Sequence, residues 1–522
     1  MKRKALNVLA VGMLATSLLL TGGCGSSTVD SAASPKEATP ADSEAVINDF
    51  ISNYEVFAAV PRQSKHEKAV SDTLKAWFED QGFSVRQNEV NDLFFDVPAT
   101  AGYENLPLIA LQGHMDMVCV AEEGKDFDPL TDPITLVVDK DAGTLKADGT
   151  SLGADDGAGL ALIMSVVKGK MAHGPLRIVL TVDEEVDMTG ALAVTAEDLE
   201  GVKYLINLDS EQSDIVTVST AADSTIVVTD TPVTTAPTGD LALTVSISGL
   251  LGGHSGIMIG EGRCNAILAL AEMLATLQKT TPFSLASFEG GTADNAIPTK
   301  AQATIVLSSA DRAKAESALD FAATTIKERY VSVEQDMAVE VTETSLPKTV
   351  LDAGQANLLL IYLNQSLDGV YTMSQAMEGL VESSSNLGMI AVNANEIEIR
   401  SMPRSSNAAK LQEIETHQKE LAESQGLEVE ITEGSRAWPV KTNSTLVPAI
   451  QKIYKDITGK EITVTALHAG LECGAFSELA PDMDMASIGP DITDAHSPDE
   501  TLYLDSIQKT WSLLERLLVS LS

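Results

Sequence analysis

Three short apolar runs, residues 106–111, 176–182 and 204–208, each lead directly into a histidine or a group of acids. No other feature constrains the fold as strongly. Runs of this length, bounded by glycine or charge, suit the buried central strands of an α/β sheet. In such sheets ligands gather at the carboxyl ends of the strands. His114, Asp183-Glu184-Glu185 and Asp209 should therefore converge on one edge although they are far apart in sequence.

Two further segments complete the set: Gly153-Ala154-Asp155-Asp156-Gly157, and Ala495-His496-Ser497-Pro498-Asp499-Glu500. Imidazole and carboxylate are ordinary zinc donors. Two histidines and three carboxylates suit a pair of ions about 3.5–4 Å apart that share one carboxylate. Asp155 is the expected bridge, because it stands at the mouth of residues 157–168, which read as a helix whose backbone N–H groups can hold its charge. His114 and Asp209 would hold one ion, and Glu185 and His496 the other. Glu184 is then the spare carboxylate, able to act as a general base on a water. Asp116, two residues after His114 on an extended segment, shares its face and is suited to orient the ring. Each segment alone is commonplace, but only seven histidines occur in the chain and two fall in these segments.

With these residues in place, the sequence resembles the dinuclear-zinc peptidases that include carboxypeptidase G-like enzymes, succinyl-diaminopimelate desuccinylase, tripeptide aminopeptidase and carnosinase. Within that group it is most similar to the aminoacyl-histidine (Xaa-His) dipeptidases. The likeness runs from about Val46 to the C-terminus. Its carriers include Val60-Pro61-Arg62-Gln63-Ser64, Gly113-His114-Met115-Asp116, Gly252-Gly253-His254-Ser255-Gly256, Asn295-Ala296-Ile297-Pro298 and His468-Ala469-Gly470-Leu471-Glu472-Cys473-Gly474. The resemblance implies the same ligands and base, two zinc ions with cobalt or manganese as alternatives, and a small peptide as substrate. It adds His254 on a lid domain as a donor to the oxyanion, often reaching across a dimer, so a homodimer is an expected assembly. It also points to Asn295 and His468 as substrate contacts. Arg400 fits best the position that binds a substrate carboxylate, with Arg263 and Arg404 as rivals, and Glu472 is a candidate for the substrate amine.

The implied fold is α/β: a zinc-peptidase catalytic domain with a central mixed sheet flanked by helices, and an inserted two-layer α+β lid. With 522 residues the chain can build two sizeable cores. The catalytic domain is expected over residues 45–217 and 436–522, and the lid, which would also form the dimer contact, over residues 218–435. The Thr-, Ser-, Ala- and Pro-rich stretch 216–239 marks the entry into the lid, Trp438-Pro439 marks the return, and residues 390–401 read as one strand.

A net charge of −40 argues against a nucleic-acid partner and against electrostatic attachment to anionic lipid. The N-terminus reads as export. Met1-Lys2-Arg3-Lys4 is basic, residues 5–20 are apolar, and Thr21-Gly22-Gly23-Cys24 resembles a lipoprotein signal with Cys24 as the acylated residue. Residues 25–44 would be a flexible tether, and the expected location is the extracytoplasmic face of the cell membrane, held by lipid. Two other functions fit the same chain: a carboxypeptidase or amidohydrolase of the same family with another substrate, or a peptide-binding lipoprotein on an inactive peptidase fold.

Overall fold

The structure is a computed structural model and describes residues 43–522; the expected signal segment, Cys24 and nearly all of the tether lie outside the described residues. The sheet that carries the site has eight strands, in the order Arg86–Gln87, Leu93–Val97, Leu176–Thr181, Leu108–His114, Val202–Asn207, Asp484–Ser487, Ile215–Thr220, Thr463–Leu467. Leu108–His114 is central and parallel to both neighbours, with Gly113 opposite Leu180 and Gln112 opposite Asn207. Its residues from Ile109 onward are buried, as are nearly all of those in the two flanking strands, because helices cover the sheet. Helix Ala154–Ser165 packs on Leu108–His114 and on helix Ser43–Ala58. Leu93–Val97 pairs antiparallel with Leu176–Thr181 and Ile215–Thr220 with Asp484–Ser487, so the sheet is mixed.

A separate four-stranded sheet, Ile492–Thr493, Thr501–Tyr503, Thr144–Ala147, Leu136–Asp139, positions two of the loops. Thr493 pairs with Thr501, so residues 494–500, including His496, form the excursion of a hairpin. Leu502 pairs with Leu145, which fastens that hairpin beside the chain leading to Asp155.

The lid is one antiparallel sheet covered by helices. Leu241–Ser248, helix Ala266–Gln278, Ser284–Gly290, Ala301–Leu307, helix Arg312–Tyr330 and Ala338–Thr344 form a βαββαβ unit whose strands lie in the order four, one, three, two. The same order recurs in Ala222–Asp230, helix Ala353–Gln365, Val381–Val392, Ile397–Ser405, helix Ala408–Ser424 and Glu428–Glu433. The second unit takes its first strand from before the first unit, and the units join where Phe288 pairs with Val392. The Leu, Ile and Ala faces of the helices and strands make a single core.

One expectation, residues 390–401 as one strand, is corrected. Within residues 216–239 the chain enters the lid without a loop: Ile215–Thr220 belongs to the catalytic sheet, Ala222–Asp230 to the lid, and only Ala221 separates them. Alternating Thr, Val and Ile reads as loop when Thr and Ser are taken for turn formers, yet β-branched residues favour strands. Residues 390–401 span the turn of a hairpin, Val381–Val392 and Ile397–Ser405, closed where Asn393 N–H donates to the Glu396 carbonyl. The return to the catalytic sheet is fixed by reciprocal backbone bonds between Thr220 and Trp438, 3.0 and 3.1 Å long.

Candidate metal centre and active site

The ends of the three central strands meet the Asp155 and His496 loops. His114 Nε2 lies 3.0 Å from Asp155 Oδ1 and 3.6 Å from Asp209 Oδ1. His496 Nε2 lies 2.9 Å from Glu185 Oε2 and 3.3 Å from Asp155 Oδ2. Two groups result, His114–Asp155–Asp209 and Asp155–Glu185–His496, each with its donor atoms within 4.8 Å of one another. Asp155 belongs to both, and its two oxygens face different groups.

Asp116 organises one side. Its Oδ1 lies 3.2 Å from His114 Nδ1, which leaves Nε2 facing the cluster. The same carboxylate accepts the backbone N–H of Glu184 at 3.1 Å, that of Glu185 at 3.3 Å, and the Ser64 hydroxyl at 2.8 Å. It thereby fixes a turn that starts at Asp183, a non-glycine residue at φ 58° whose carboxylate also accepts the Thr189 hydroxyl. His496 likewise sits at φ 61°. Left-handed backbone costs a non-glycine residue on the order of 1 kcal/mol and persists where surrounding bonds fix it.

Glu500 organises the other side. Its carboxylate accepts the N–H groups of Leu152 and Gly153 at 2.8 Å and of Ala154 at 2.7 Å, just before Asp155. Arg62, fully buried, donates to the carbonyls of Met115, Asp116 and Gly153 and so ties the His114 strand to the Asp155 loop. Gly113 permits this closeness, since a Cβ there would lie 2.1 Å from Asp156 Oδ2. The sequence reading assigned no role to Arg62 or Glu500. Their signal was a single charged residue inside an otherwise significant segment, with nothing to show that it would bond to backbone.

The electrostatics of the cluster suit cations. Burial, together with Asp155, raises Asp209 well above the usual carboxylate range. Burial, with Asp155, Glu472 and Glu185 adding to it, does the same for Glu184. Against the penalty of burial, hydrogen bonds from His114 and His496 hold Asp155 low. Bonds to Asp155 and Glu185 push His496 up to about 11. Such a field draws positive charge, and the donor set of imidazoles and carboxylates is the one divalent metals take. The residues present thus fit a pair of metal ions.

A cavity of about 350 Å³ opens on this cluster. Asp155, Glu184, Glu185, Asp209 and His496 line it on one side, and Ile215, Leu467, Leu471 and the lid residue Ile257 give it an apolar wall. On the lid, His254 Nδ1 accepts the N–H groups of Gly256 (3.1 Å) and Ile257 (3.2 Å), so the ring proton resides on Nε2. Burial and the nearby charge of Arg404 lower its pKa. Asn295 is exposed; its carbonyl accepts Ser255 N–H at 2.8 Å and pins the His254 loop. His468 is buried, with Nε2 2.8 Å from Ser384 Oγ of the lid.

The geometry bears on two of the expected substrate contacts. Arg400 is partly exposed and spends its guanidinium on Glu398, 2.7 Å away. Its rival Arg263 braces the His254 loop through the Gly252 carbonyl. Arg404, four residues further along the same face of its strand, is buried, bonds Asp223 at 2.9 Å, and places its charge beside both His254 and His468. Glu472 is fully buried, bonded to Thr181 and Gln112, and is closed off from a substrate amine.

Comparison with known proteins follows the same lines. Residues 110–520 match peptidase family M20/M25/M40. The chain belongs to that family. It is 32% identical over 473 residues to the cytosol non-specific dipeptidase of Escherichia coli strain K12, across 89% of this chain and 96% of that one. The solved structure of aminoacylhistidine dipeptidase from Vibrio alginolyticus superposes with a TM-score of 0.86 at 33% identity, covering 91% of this chain and 96% of that one. A tripeptidase from Staphylococcus aureus, at 15% identity and TM-score 0.52 over 90% of this chain and 97% of that one, shares the fold alone. This member of the family is a metallopeptidase, and the relatives named at 32% and 33% identity are dipeptidases. The expectation of a lipid-anchored, extracytoplasmic protein is corrected by the E. coli relative, a cytosol enzyme that aligns over nearly the whole described chain. Among the described residues no helix is long and apolar enough to cross a membrane.

Proposed function

We propose that this chain hydrolyses dipeptides, Xaa-His among them, at a dinuclear metal centre whose expected ion is zinc. One observation carries the proposal: two three-residue donor groups share Asp155, with the uncommitted carboxylate of Glu184 lining the same cavity. His114 and Asp209 would hold one ion, Glu185 and His496 the other, with Asp155 between them. When bound, the ions supply Lewis acidity and make a water nucleophilic at neutral pH.

The protein supplies the rest. Glu184, adjacent to Glu185 and fixed through its own backbone by Asp116, takes the proton of the attacking water and returns it to the leaving amine. Nε2–H of His254 is the donor available to the developing oxyanion. Arg404 replaces Arg400 as the residue proposed to read the substrate carboxylate, with His468 beside it. Reading a terminal carboxylate a short way from the reacting centre restricts substrates to short peptides.

The test is a panel of Xaa-His and other dipeptides with matched C-terminal amides and N-acyl derivatives, followed by release of free amino acid. Cleavage of free dipeptides with poor use of the amides supports the proposal. Preferential cleavage of N-acyl amino acids would replace it with an amidohydrolase of the same family.

A further inference from the structure

A buried carboxylate that belongs to neither donor group lies beneath the site. Glu472 has no exposed surface. Its Oε2 accepts the Thr181 hydroxyl at 2.8 Å and a short bond from Gln112 Nε2. Gln112 in turn accepts the Asn207 amide at 2.7 Å through Oε1. These partners sit on the three central strands, each just ahead of a site residue. Gln112 precedes His114 by two positions, Asn207 precedes Asp209 by two, and Thr181 closes the strand that leads into Asp183-Glu184-Glu185.

A buried carboxylate is expensive unless bonded, and here Oε1 accepts no hydrogen bond from any described residue. Burial is the largest influence on Glu472 and disfavours its ionised form, while the charge of His114 and the bonds from Thr181 and Gln112 favour it. An apolar residue would be the cheaper way to fill this space, but it could accept neither bond. Glu472 also belongs to the segment that carries Gly470 and Leu471 into the cavity wall, so it joins a third part of the chain to the three strand ends.

We infer that Glu472 is a positioning residue for the metal centre: through Gln112, Thr181 and Asn207 it holds the strand ends that carry His114, Glu184, Glu185 and Asp209 in register. The inference rests on the proposed ligand assignment. Partners behind metal ligands typically contribute about 10–100-fold in metal affinity or activity.

The experiment compares wild type, Glu472→Leu, Glu472→Gln and Thr181→Val. Zinc affinity is read by competition with a chromophoric chelator, and kcat and KM are read separately on one dipeptide. Glu472→Leu should lower zinc affinity by about 10–100-fold and kcat in parallel, with KM within about twofold of wild type. Glu472→Gln, which keeps an acceptor for Thr181 and Gln112, should recover most of both. Wild-type zinc affinity and kcat in Glu472→Leu would overturn the inference. So would a rise in KM alone, which would return Glu472 to amine binding. If Glu472→Leu does not fold, Thr181→Val decides, since it removes the 2.8 Å bond with little change in shape: weakened zinc binding supports the inference, and unchanged zinc binding and kcat overturn it. The wild-type arm separates the two readings. Wild type that binds no zinc or cleaves no dipeptide refutes the proposed function, whereas zinc affinity across the variants tests Glu472 without reference to substrate.

Discussion

At the residue scale the proposed division of labour separates chemistry from recognition. Glu184 touches neither His114 nor His496 by hydrogen bond, while its neighbour Glu185 lies 2.9 Å from His496 Nε2. Glu184→Ala should therefore leave metal content near wild type by elemental analysis and cut kcat by about 10²–10⁴. Full turnover in that variant would remove Glu184 from the mechanism. Recognition predicts a contrast on one strand: Arg404→Met should raise KM for dipeptides at least about tenfold, the scale of a lost charge-assisted hydrogen bond, while Arg400→Met leaves it unchanged. The reverse pattern in steady-state kinetics would restore Arg400. His114, Glu184, Glu185 and Asp209 stood out because the apolar runs before them announce strand ends, whereas Asp155 at a helix start and His496 in a hairpin loop stood out only as members of the set. For Arg400 and Glu472, sequence shows neither which arginine finds a local acid nor which glutamate faces inward. That information lies in Glu398 and Thr181, one two residues away and the other on a strand nearly three hundred positions distant.

Elements carry the site through their loops, and the loops are held by carboxylates bonded to backbone. Glu500 alone satisfies three N–H groups ahead of Asp155. Glu500→Leu should lower stability on the order of 3 kcal/mol, because buried donors lose charge-assisted bonds, and urea denaturation measures this. A loss below about 1 kcal/mol would mean that water replaces the carboxylate. The contact between lid and catalytic domain makes a pH prediction. Burial, with Arg404 and His254 adding to it, lowers His468 from 6.5 to about 4. The unfolded chain binds a proton near pH 6.5 and the folded chain only near 4, so this contribution to stability is complete above 6.5 and is lost as pH falls towards 4. For metal-free protein, His468→Gln should flatten that acid limb on the order of 3 kcal/mol between pH 7 and 4. Equal acid sensitivity in both proteins would show that His468 protonates freely in the fold. Among elements, the α/β class and the covered lid sheet followed from hydrophobic period. The one-residue crossing at Ala221 and the hairpin turn after Val392 did not, since Thr- and Ser-rich strands imitate linkers by composition.

At the scale of the whole molecule, the fold brings together residues that the chain keeps apart. The lid interrupts the catalytic sheet after Thr220 and returns it at Trp438, and only then are Glu472, His496 and Glu500 added to a site begun at His114. Pairing across such distances is topology: the rhythm of strands and helices suggests a lid of two similar units, and their shared strand order becomes visible in the register. The measurement that tests the account most directly is metal stoichiometry against turnover. Protein stripped by a chelator is titrated with zinc while bound metal and dipeptide hydrolysis are both recorded. The account predicts negligible hydrolysis without metal, activity restored as two ions bind per chain, and loss of both ions in Asp155→Ala. Undiminished dipeptide hydrolysis by metal-free protein, or two ions retained by Asp155→Ala, would contradict it.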